Sequence, residues 1–180
     1  MKTTIALLGL LLFAATLFAQ TAPAPAFPKF EASVGYSLAN VHPDSSAVDS
    51  FNVNGGTAAV VYNLTDLIGV KGEFAGYIQG TSKSSGNLFT YMAGPQIKYH
   101  KSKFQPFGEA LLGMANSNLY TNAGNASSTA FAMAFGGGLD YALTSKIQIR
   151  AAEVDYLYTK FGPNSGQNNF RYGAGVNFTF

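Results

Sequence analysis

The end of the chain alternates between two kinds of side chain over residues 170–180. One parity carries Phe170, Tyr172, Ala174, Val176, Phe178 and Phe180, whereas the other carries Arg, Gly, Asn and Thr. A period of two residues is that of a β-strand with two unlike faces. An unpaired strand of this kind would promote aggregation in water. The segment must therefore be paired along both edges, and its apolar face must be covered.

Extended segments of the same kind recur at regular intervals along the chain. The pattern predicts eight strands, at 30–41, 51–64, 68–79, 88–100, 104–116, 129–143, 147–160 and 170–180. The 20 glycines, 15 phenylalanines and ten tyrosines favour strands joined by turns. After the first residues no apolar stretch is long enough for a transmembrane helix, which excludes a helical membrane protein.

The connections between these strands alternate in length. Tight turns are predicted at 65–67, 101–103 and 144–146, and longer Ser, Asn and Gly loops at 42–50, 80–86, 117–128 and 162–169. Short turns on one rim and longer loops on the other are typical of an outer-membrane barrel, with the short turns in the periplasm. Tyr62, Tyr99 and Tyr141 each precede a short turn, as an interfacial aromatic girdle requires.

The volume of the aromatic side chains decides which face of the barrel points inward. An eight-stranded barrel encloses only enough space for its own side chains, and the 23 aromatic residues after residue 18 are too bulky for it. In the third strand Ile68, Val70, Phe74 and Ile78 oppose Gly69, Lys71, Glu73 and Ala75, and the sixth strand has a similar division. We therefore expect an all-β, eight-stranded, antiparallel up-and-down transmembrane β-barrel, with its apolar face toward lipid.

The seventh strand changes parity in its middle. Ile147 and Ile149 are odd-numbered, but Val154, Tyr156 and Tyr158 are even-numbered. One extra residue at Ala151 and Ala152, a β-bulge, would keep Arg150 and the acids after it inside the barrel. The sequence therefore predicts a bulge at this point.

The chain divides into three parts by composition. Residues 1–19 form a predicted cleaved secretory signal peptide, residues 20–29 an Ala/Pro-rich lead-in, and residues 30–180 the barrel. The absence of cysteine excludes a disulfide framework and a thiol nucleophile. A net charge of +2 gives no indication of nucleic-acid binding.

The layout of 30–180 resembles the small eight-stranded outer-membrane barrels of the OmpA-type transmembrane domain and the outer membrane β-barrel domain family. The resemblance is densest at 137–144, Gly-Gly-Leu-Asp-Tyr-Ala-Leu-Thr, followed by Ile147 and Arg150. In that family an inward arginine, neighbouring acids and a lysine form a salt-bridge gate. The resemblance assigns Arg150, Asp140, Glu73 and Lys98 to these positions. No peptidoglycan-binding domain is expected after the barrel.

The resemblance also implies partners and a location. The C-terminal Tyr172, Val176, Phe178 and Phe180 resemble the family's signal for the barrel-assembly machinery. The expected partners are outer-membrane lipid and lipopolysaccharide, periplasmic chaperones and that machinery, with a monomer as the expected state. The expected location is the outer membrane of a Gram-negative-type bacterium, with loops extracellular and both termini periplasmic.

Parity places a set of charged residues in the lumen, beginning with Glu31 in the first strand. The predicted lumen network consists of Lys71, Glu73, Lys98, Glu109, Asp140, Arg150, Glu153 and Asp155. Mutual pairing in a polar core explains these charges more simply than transport does. The alternative is a gate whose changed pairings open a narrow ion path.

No residue pattern indicates a catalytic, cofactor or metal site. His42, Asp44, Ser45 and Ser46 in the first long loop resemble turn residues more than a hydrolase site. His100, near a short turn, is interpreted as an interfacial polar residue, and two histidines without cysteine give no metal cluster. We therefore expect a non-enzymatic barrel that contributes to envelope structure and presents short loops. The alternatives are a narrow charge-gated pore and a loop-borne lipid-modifying enzyme.

Overall fold

A computed structural model of the 180-residue chain describes residues 27–41, 51–80, 84–121, 124–162 and 165–180. These residues form eight strands: β1 (Phe30–Val41), β2 (Phe51–Asn63), β3 (Ile68–Gly80), β4 (Ser84–Lys98), β5 (Phe104–Thr121), β6 (Gly124–Ala142), β7 (Ile147–Gly162) and β8 (Ser165–Thr179). No helix in these ranges has the length and apolar character needed to cross a membrane. The predicted signal peptide, most of the lead-in and the loop from His42 lie outside the described residues.

The strands form one closed barrel in which every strand pairs with its sequence neighbours and β1 pairs with β8. All eight pairings are antiparallel. Phe180 closes the ring by accepting backbone hydrogen bonds from Lys29 at 3.0 Å and Phe30 at 3.3 Å. The predicted all-β, eight-stranded architecture is confirmed.

The two rims of the barrel are distinguished by their connections. The terminal rim carries the start of β1, the end of β8 and the turns over 64–67, 99–103 and 143–146. The opposite rim carries the other four connections. Thr65 and Thr144 occupy the same place in their turns, since each hydroxyl accepts a backbone hydrogen bond from the residue three positions later. The two turns also share a sequence, since Tyr-Asn-Leu-Thr at 62–65 corresponds to Tyr-Ala-Leu-Thr at 141–144.

Side chains alternate between the inside and the outside of the barrel as the sequence pattern predicts. On β3, Ile78 is 69% exposed whereas Ala75 is fully buried. On β8, Phe170, Tyr172 and Phe178 are exposed, and Arg171 and Asn177 are buried. The polar parity is therefore interior and the aromatic parity exterior, which confirms the predicted assignment of faces.

The predicted bulge in β7 is present. Toward β6, Arg150 pairs with Asp140 but Ala152 pairs with Leu139, so the register shifts by one residue. The pairing with β8 shifts at the same place. Ala151 and Ala152 are both exposed, while Gln148, Arg150, Glu153 and Asp155 are all buried. The extra residue thus allows the polar side chains of both halves of β7 to face the interior.

Three of the loops are shorter in the structure than the sequence pattern predicts. Strand pairing continues to Ser84–Thr121 between β4 and β5, to Thr121–Gly124 between β5 and β6, and to Gly162–Ser165 between β7 and β8. The predicted loops at 80–86, 117–128 and 162–169 are therefore largely strand. Ser, Asn and Gly at these positions reflect exposure of the strand ends near the opposite rim, where β6 residues 124–129 are exposed on both faces.

Deleting Ala151 should destabilise the barrel because it removes the bulge and leaves only one half of β7 in phase. If Ile147 to Arg150 flips, Arg150 faces lipid at a cost of about 2–4 kcal/mol near the midplane. The free energy of unfolding in urea, measured in lipid vesicles, checks this. Ala151→Val keeps the residue count and should change that free energy by less than about 1 kcal/mol. An unchanged value for the deletion would contradict the role assigned to the bulge.

Candidate functional site

The interior of the barrel is the candidate site, and it consists of two layers. The charged layer lies toward the terminal rim and the middle, and comprises Glu31, Lys71, Glu73, Lys98, Glu109, Asp140, Arg150, Glu153, Asp155 and Arg171, all buried. The apolar layer lies toward the opposite rim and consists of two clusters, which both pack against the partly buried Leu88. One cluster comprises Met92, Leu111, Ala115, Ala130, Ala132, Ala134 and Leu157, and the other comprises Ala39, Val41, Val53, Ala75 and Tyr77. Both layers follow from the alternation of the strands, since each inward position contributes one side chain.

Lys98 organises the part of the charged layer nearest the terminal rim. Its Nζ lies 2.6 Å from Glu31 Oε2, 2.8 Å from Asp140 Oδ2 and 2.7 Å from Gln148 Oε1. Arg150 Nε donates to Asp140 Oδ1 at 2.9 Å, so both Asp140 oxygens are engaged. Four strands are joined through these contacts.

Lys71 organises the central part of the charged layer. Its Nζ lies 2.7 Å from Glu73, 2.8 Å from Glu109 and 3.1 Å from Glu153. One oxygen from each of these three carboxylates lies within 4.8 Å of the others, a grouping that could hold a metal ion. The lysine ammonium already supplies a positive charge at the centre of this group. The arrangement is therefore that of a lysine with three carboxylate partners.

Arg171 joins β8 to this centre. Its Nε and Nη2 donate to Asp155 Oδ2 at 2.8 Å and 2.6 Å, and its Nη1 donates to Glu73. Sequence reasoning placed Arg171 on the polar parity of the last strand but did not include it among the charged lumen residues. The signal was present, because Arg171 alternates with Phe170 and Tyr172.

The two parts of the charged layer are connected through Arg150. Its Nη1 lies 3.3 Å from Glu153, which also contacts Lys71, and its guanidinium lies 4.3 Å from the Phe107 ring centre. The charged layer therefore forms one continuous network. Of the residues that the resemblance assigns to a gate, Arg150 and Lys98 both contact Asp140, at 2.9 Å and 2.8 Å. Glu73 pairs with Lys71 and Arg171 instead.

His100 closes the network at the terminal rim. Its Nδ1 lies 2.7 Å from the Asp66 carbonyl oxygen and its Nε2 lies 2.8 Å from Glu31 Oε1. A carbonyl can only accept, so Nδ1 donates, and only the imidazolium form also donates from Nε2 to an ionised Glu31. The side chain is 5% exposed. His100 is therefore an interior partner of Glu31 as well as a residue next to a turn.

The side chains at the centre of the apolar layer are buried from solvent. Leu111 and Leu157 are 0% and 1% exposed, and Leu88 and Phe161 pack against the same cluster. The buried polar side chains at this level that the structure describes, including Thr90, Thr159 and Asn169, carry no charge. Sequence reasoning expected glycine, alanine and paired charges in the lumen and did not separate this layer from the charged one.

These features define the class of protein. A closed antiparallel barrel with an apolar exterior and a polar network inside is a membrane-spanning β-barrel. The chain belongs to the outer membrane protein beta-barrel domain family, whose model matches residues 6–180. It is therefore an outer-membrane protein of the Gram-negative type. No curated protein sequence matches it.

Solved structures share the fold at low sequence identity. Neisserial surface protein A aligns with a TM-score of 0.68 at 16% identity, over 84% of this chain and 97% of that one. Ail, the attachment invasion locus protein of Yersinia pestis, aligns with a TM-score of 0.60 at 20% identity, over 84% and 99%. The N-terminal barrel of Pseudomonas aeruginosa OprF aligns with a TM-score of 0.53 at 16% identity, over 85% and 98%. The likeness is one of fold.

Replacing Arg171 with methionine should cost about 3–5 kcal/mol of unfolding free energy, because Asp155 then remains buried without its cation. Urea unfolding in vesicles measures this loss. Adding Asp155→Leu should recover most of it, since the unpaired carboxylate is removed with the guanidinium. Lys160→Gln, at an exposed position on β7, is the control and should change stability by less than about 0.5 kcal/mol. If the double variant is no more stable than Arg171→Met alone, the pairing of Arg171 with Asp155 is contradicted.

Proposed function

We propose that this protein is a closed, non-enzymatic barrel that contributes to the structure of the outer membrane and presents short loops at the opposite rim. The apolar layer is the observation that carries the proposal. Two fully buried leucines, Leu111 and Leu157, stand with Met92 and several alanines in the path that an ion would have to take. A hydrophobic constriction of this kind opposes ion passage because it excludes water.

The charged layer supports the same function. Its four permanent cations, Lys71, Lys98, Arg150 and Arg171, are each held by carboxylates from other strands. Removing one member of such a set leaves an unpaired buried charge, which costs several kcal/mol. Further contacts join strands that are not neighbours in the ring, namely Lys71 of β3 with Glu153 of β7, Lys98 of β4 with Glu31 of β1, and Arg171 of β8 with Glu73 of β3. Together they favour a single rigid arrangement.

The absence of enzymatic activity is also part of the proposal. His100 is the only histidine among the described residues, and both of its ring nitrogens contact oxygens of Asp66 and Glu31 rather than a serine or threonine hydroxyl. A general base for a hydroxyl nucleophile would have to lie within hydrogen-bond reach of it. The geometry around His100 fits a structural contact.

We propose that the terminal rim faces the periplasm and the opposite rim faces the exterior. The short turns of the terminal rim favour this orientation. Tyr172, Phe178 and Phe180 are exposed on the outer face, and with Val176 they are available to the assembly machinery and its chaperones. Lipid and lipopolysaccharide then surround a monomeric barrel.

The opposite rim is unsuited to strong binding of polyanions. A structure of Ail has been determined in complex with the heparin analogue sucrose octasulfate. In the present chain, the predicted loops at 42–50, 80–86, 117–128 and 162–169 contain one lysine, Lys83, together with Asp44 and Asp49. The proposed exterior surface therefore carries little positive charge.

A charge-gated pore is the second candidate function. It is favoured by the several carboxylates around Lys71 and Arg150, which would permit these cations to change partners. The pore and the closed barrel differ in what happens when Arg150 is removed. A gate should then change its openings, whereas the apolar layer should keep a closed barrel silent.

Single-channel recording in a planar bilayer tests the proposal. The folded protein and its Arg150→Ala variant should both show no discrete openings, because the apolar layer remains intact in each. Replacing Leu111 and Leu157 with serine should produce openings, since water can then enter the layer. Folding of each protein is verified beforehand by the heat-dependent gel shift of closed barrels.

Discrete openings of the unmodified protein that change in size or frequency in Arg150→Ala would contradict the closed barrel and support the charge-gated pore. Openings of equal size in both proteins would show that the apolar layer does not block ions. Leu111→Met is the matched control, because it changes the shape of the layer without making it polar, and it should remain silent.

A further inference from the structure

Exposed charges on the outer surface are concentrated at the terminal rim. Lys29 precedes β1, Lys101 and Lys103 lie between β4 and β5, and Lys146 lies between β6 and β7. The three turn lysines are exposed and Lys29 is half-buried. Elsewhere on the described surface, Lys160 is the only exposed charged residue. The terminal rim is therefore the electropositive end of the molecule.

Asp66 offsets only one of these lysines. Its Oδ2 lies 3.1 Å from Lys101 Nζ, and this hydrogen bond and charge raise the pKa of the Lys101 ammonium. Lys29, Lys103 and Lys146 have no carboxylate partner among the described residues, although Lys29 Nζ lies 4.6 Å from the centre of the Phe27 ring. These three residues are here called the lysine collar, and none of them forms an ion pair with an Asp or Glu side chain among the described residues.

Two lysines of the collar lie next to aromatic residues at the terminal rim, since Lys29 directly precedes Phe30 and Lys103 directly precedes Phe104. Two aromatic pairs mark the edge of the apolar surface at the same rim, namely Phe30 with Tyr62 at 5.0 Å and Phe104 with Tyr141 at 5.1 Å between ring centres. Aromatic girdles occupy the membrane–water interface in outer-membrane barrels. A lysine just beyond such a ring can extend its stem along apolar surface and place its ammonium among phosphates.

The distribution of the collar around the ring indicates how many anions it contacts. Lys29 lies at the β8–β1 closure, whereas Lys103 lies at the β4–β5 turn on the far side of the barrel. Lys146 lies between them along one arc. Residues so placed cannot surround one small anion, but they can each meet a separate headgroup in a surrounding leaflet.

We propose that Lys29, Lys103 and Lys146 bind the phosphate groups of anionic phospholipids in the leaflet next to the terminal rim. This interaction rests on the membrane location of the barrel, and it holds whether the lumen is closed or conducting. It also rests on the proposed orientation, in which the terminal rim meets the phospholipid leaflet on the periplasmic side. On the part of the opposite rim that the structure describes, Lys160 is the one exposed charged residue.

Electron spin resonance with spin-labelled lipids tests the proposal on the folded full chain in phosphatidylcholine bilayers. The quantity measured is the association constant of labelled phosphatidylglycerol with the protein relative to that of labelled phosphatidylcholine. The unmodified protein should prefer phosphatidylglycerol, by up to roughly fivefold for each lysine that engages a phosphate at low salt. We expect the ratio of the two association constants to be close to one in the triple variant Lys29→Gln/Lys103→Gln/Lys146→Gln.

Matched variants distinguish the effect of the lysine collar on lipid preference from the effect of positive charge elsewhere on the protein. Lys160→Gln should keep the preference of the unmodified protein, and the triple Lys→Arg variant should keep it as well. Asp66→Asn should raise the preference, because it frees Lys101. Salt at about 0.5 M should weaken the preference by screening exposed charges. The heat-dependent gel shift verifies that each variant is folded.

Equal association of both lipids with the unmodified protein would overturn the proposal. It would also be overturned if Lys160→Gln lowered the preference for phosphatidylglycerol as much as the triple Lys→Gln variant does. Inorganic phosphate added at constant ionic strength should have no effect. If it abolishes the preference, a soluble phosphate is the ligand and the lipid assignment is wrong. Channel recordings in the same membranes report separately on the closed lumen.

Discussion

The pairing of every backbone polar group within hydrocarbon is the constraint on which this structure depends. An unpaired N–H or C=O costs several kcal/mol in lipid, so strands can span a membrane only in a ring without edges. The β1–β8 pairing supplies that closure, and Phe180 completes it through hydrogen bonds with Lys29 and Phe30. Closure in turn fixes the direction of each side chain, since alternate residues must point into the ring or out to lipid.

Closure with eight strands leaves an interior that side chains fill. Charged residues placed there must therefore find partners across the lumen. Six carboxylates meet four permanently cationic side chains in the charged layer, and His100 adds a further positive charge when it is protonated. The bulge at Ala151 helps to meet this requirement for charged partners inside the barrel. Without it Arg150 and Glu153 could not both face the interior, and the two parts of the network would be separate.

The faces of the barrel could be predicted from the sequence, but the partners inside it could not. Parity is a local property, so the inward positions of Lys71, Glu73 and Asp140 followed from their own strands. Which carboxylate meets Lys71 depends on position around the ring, and Glu153 lies far from it in sequence. The strand ends near the opposite rim were missed for another reason. Ser, Asn and Gly there are paired as strands yet exposed on both faces, so no alternation marks them.

The charges of this molecule serve two separate environments. Inside, opposite charges are matched at contact distance and buried from water, so their effect is to hold the strands in one arrangement. Outside, Lys29, Lys103 and Lys146 at the terminal rim have no Asp or Glu partner among the described residues, so their field extends to the surroundings of the barrel. A sequence in which only 11% of residues are charged places nearly all of its described charges in one of these two settings. The apolar layer keeps the inner set from the opposite rim, which leaves the lysine collar as the main electrostatic feature that the membrane meets.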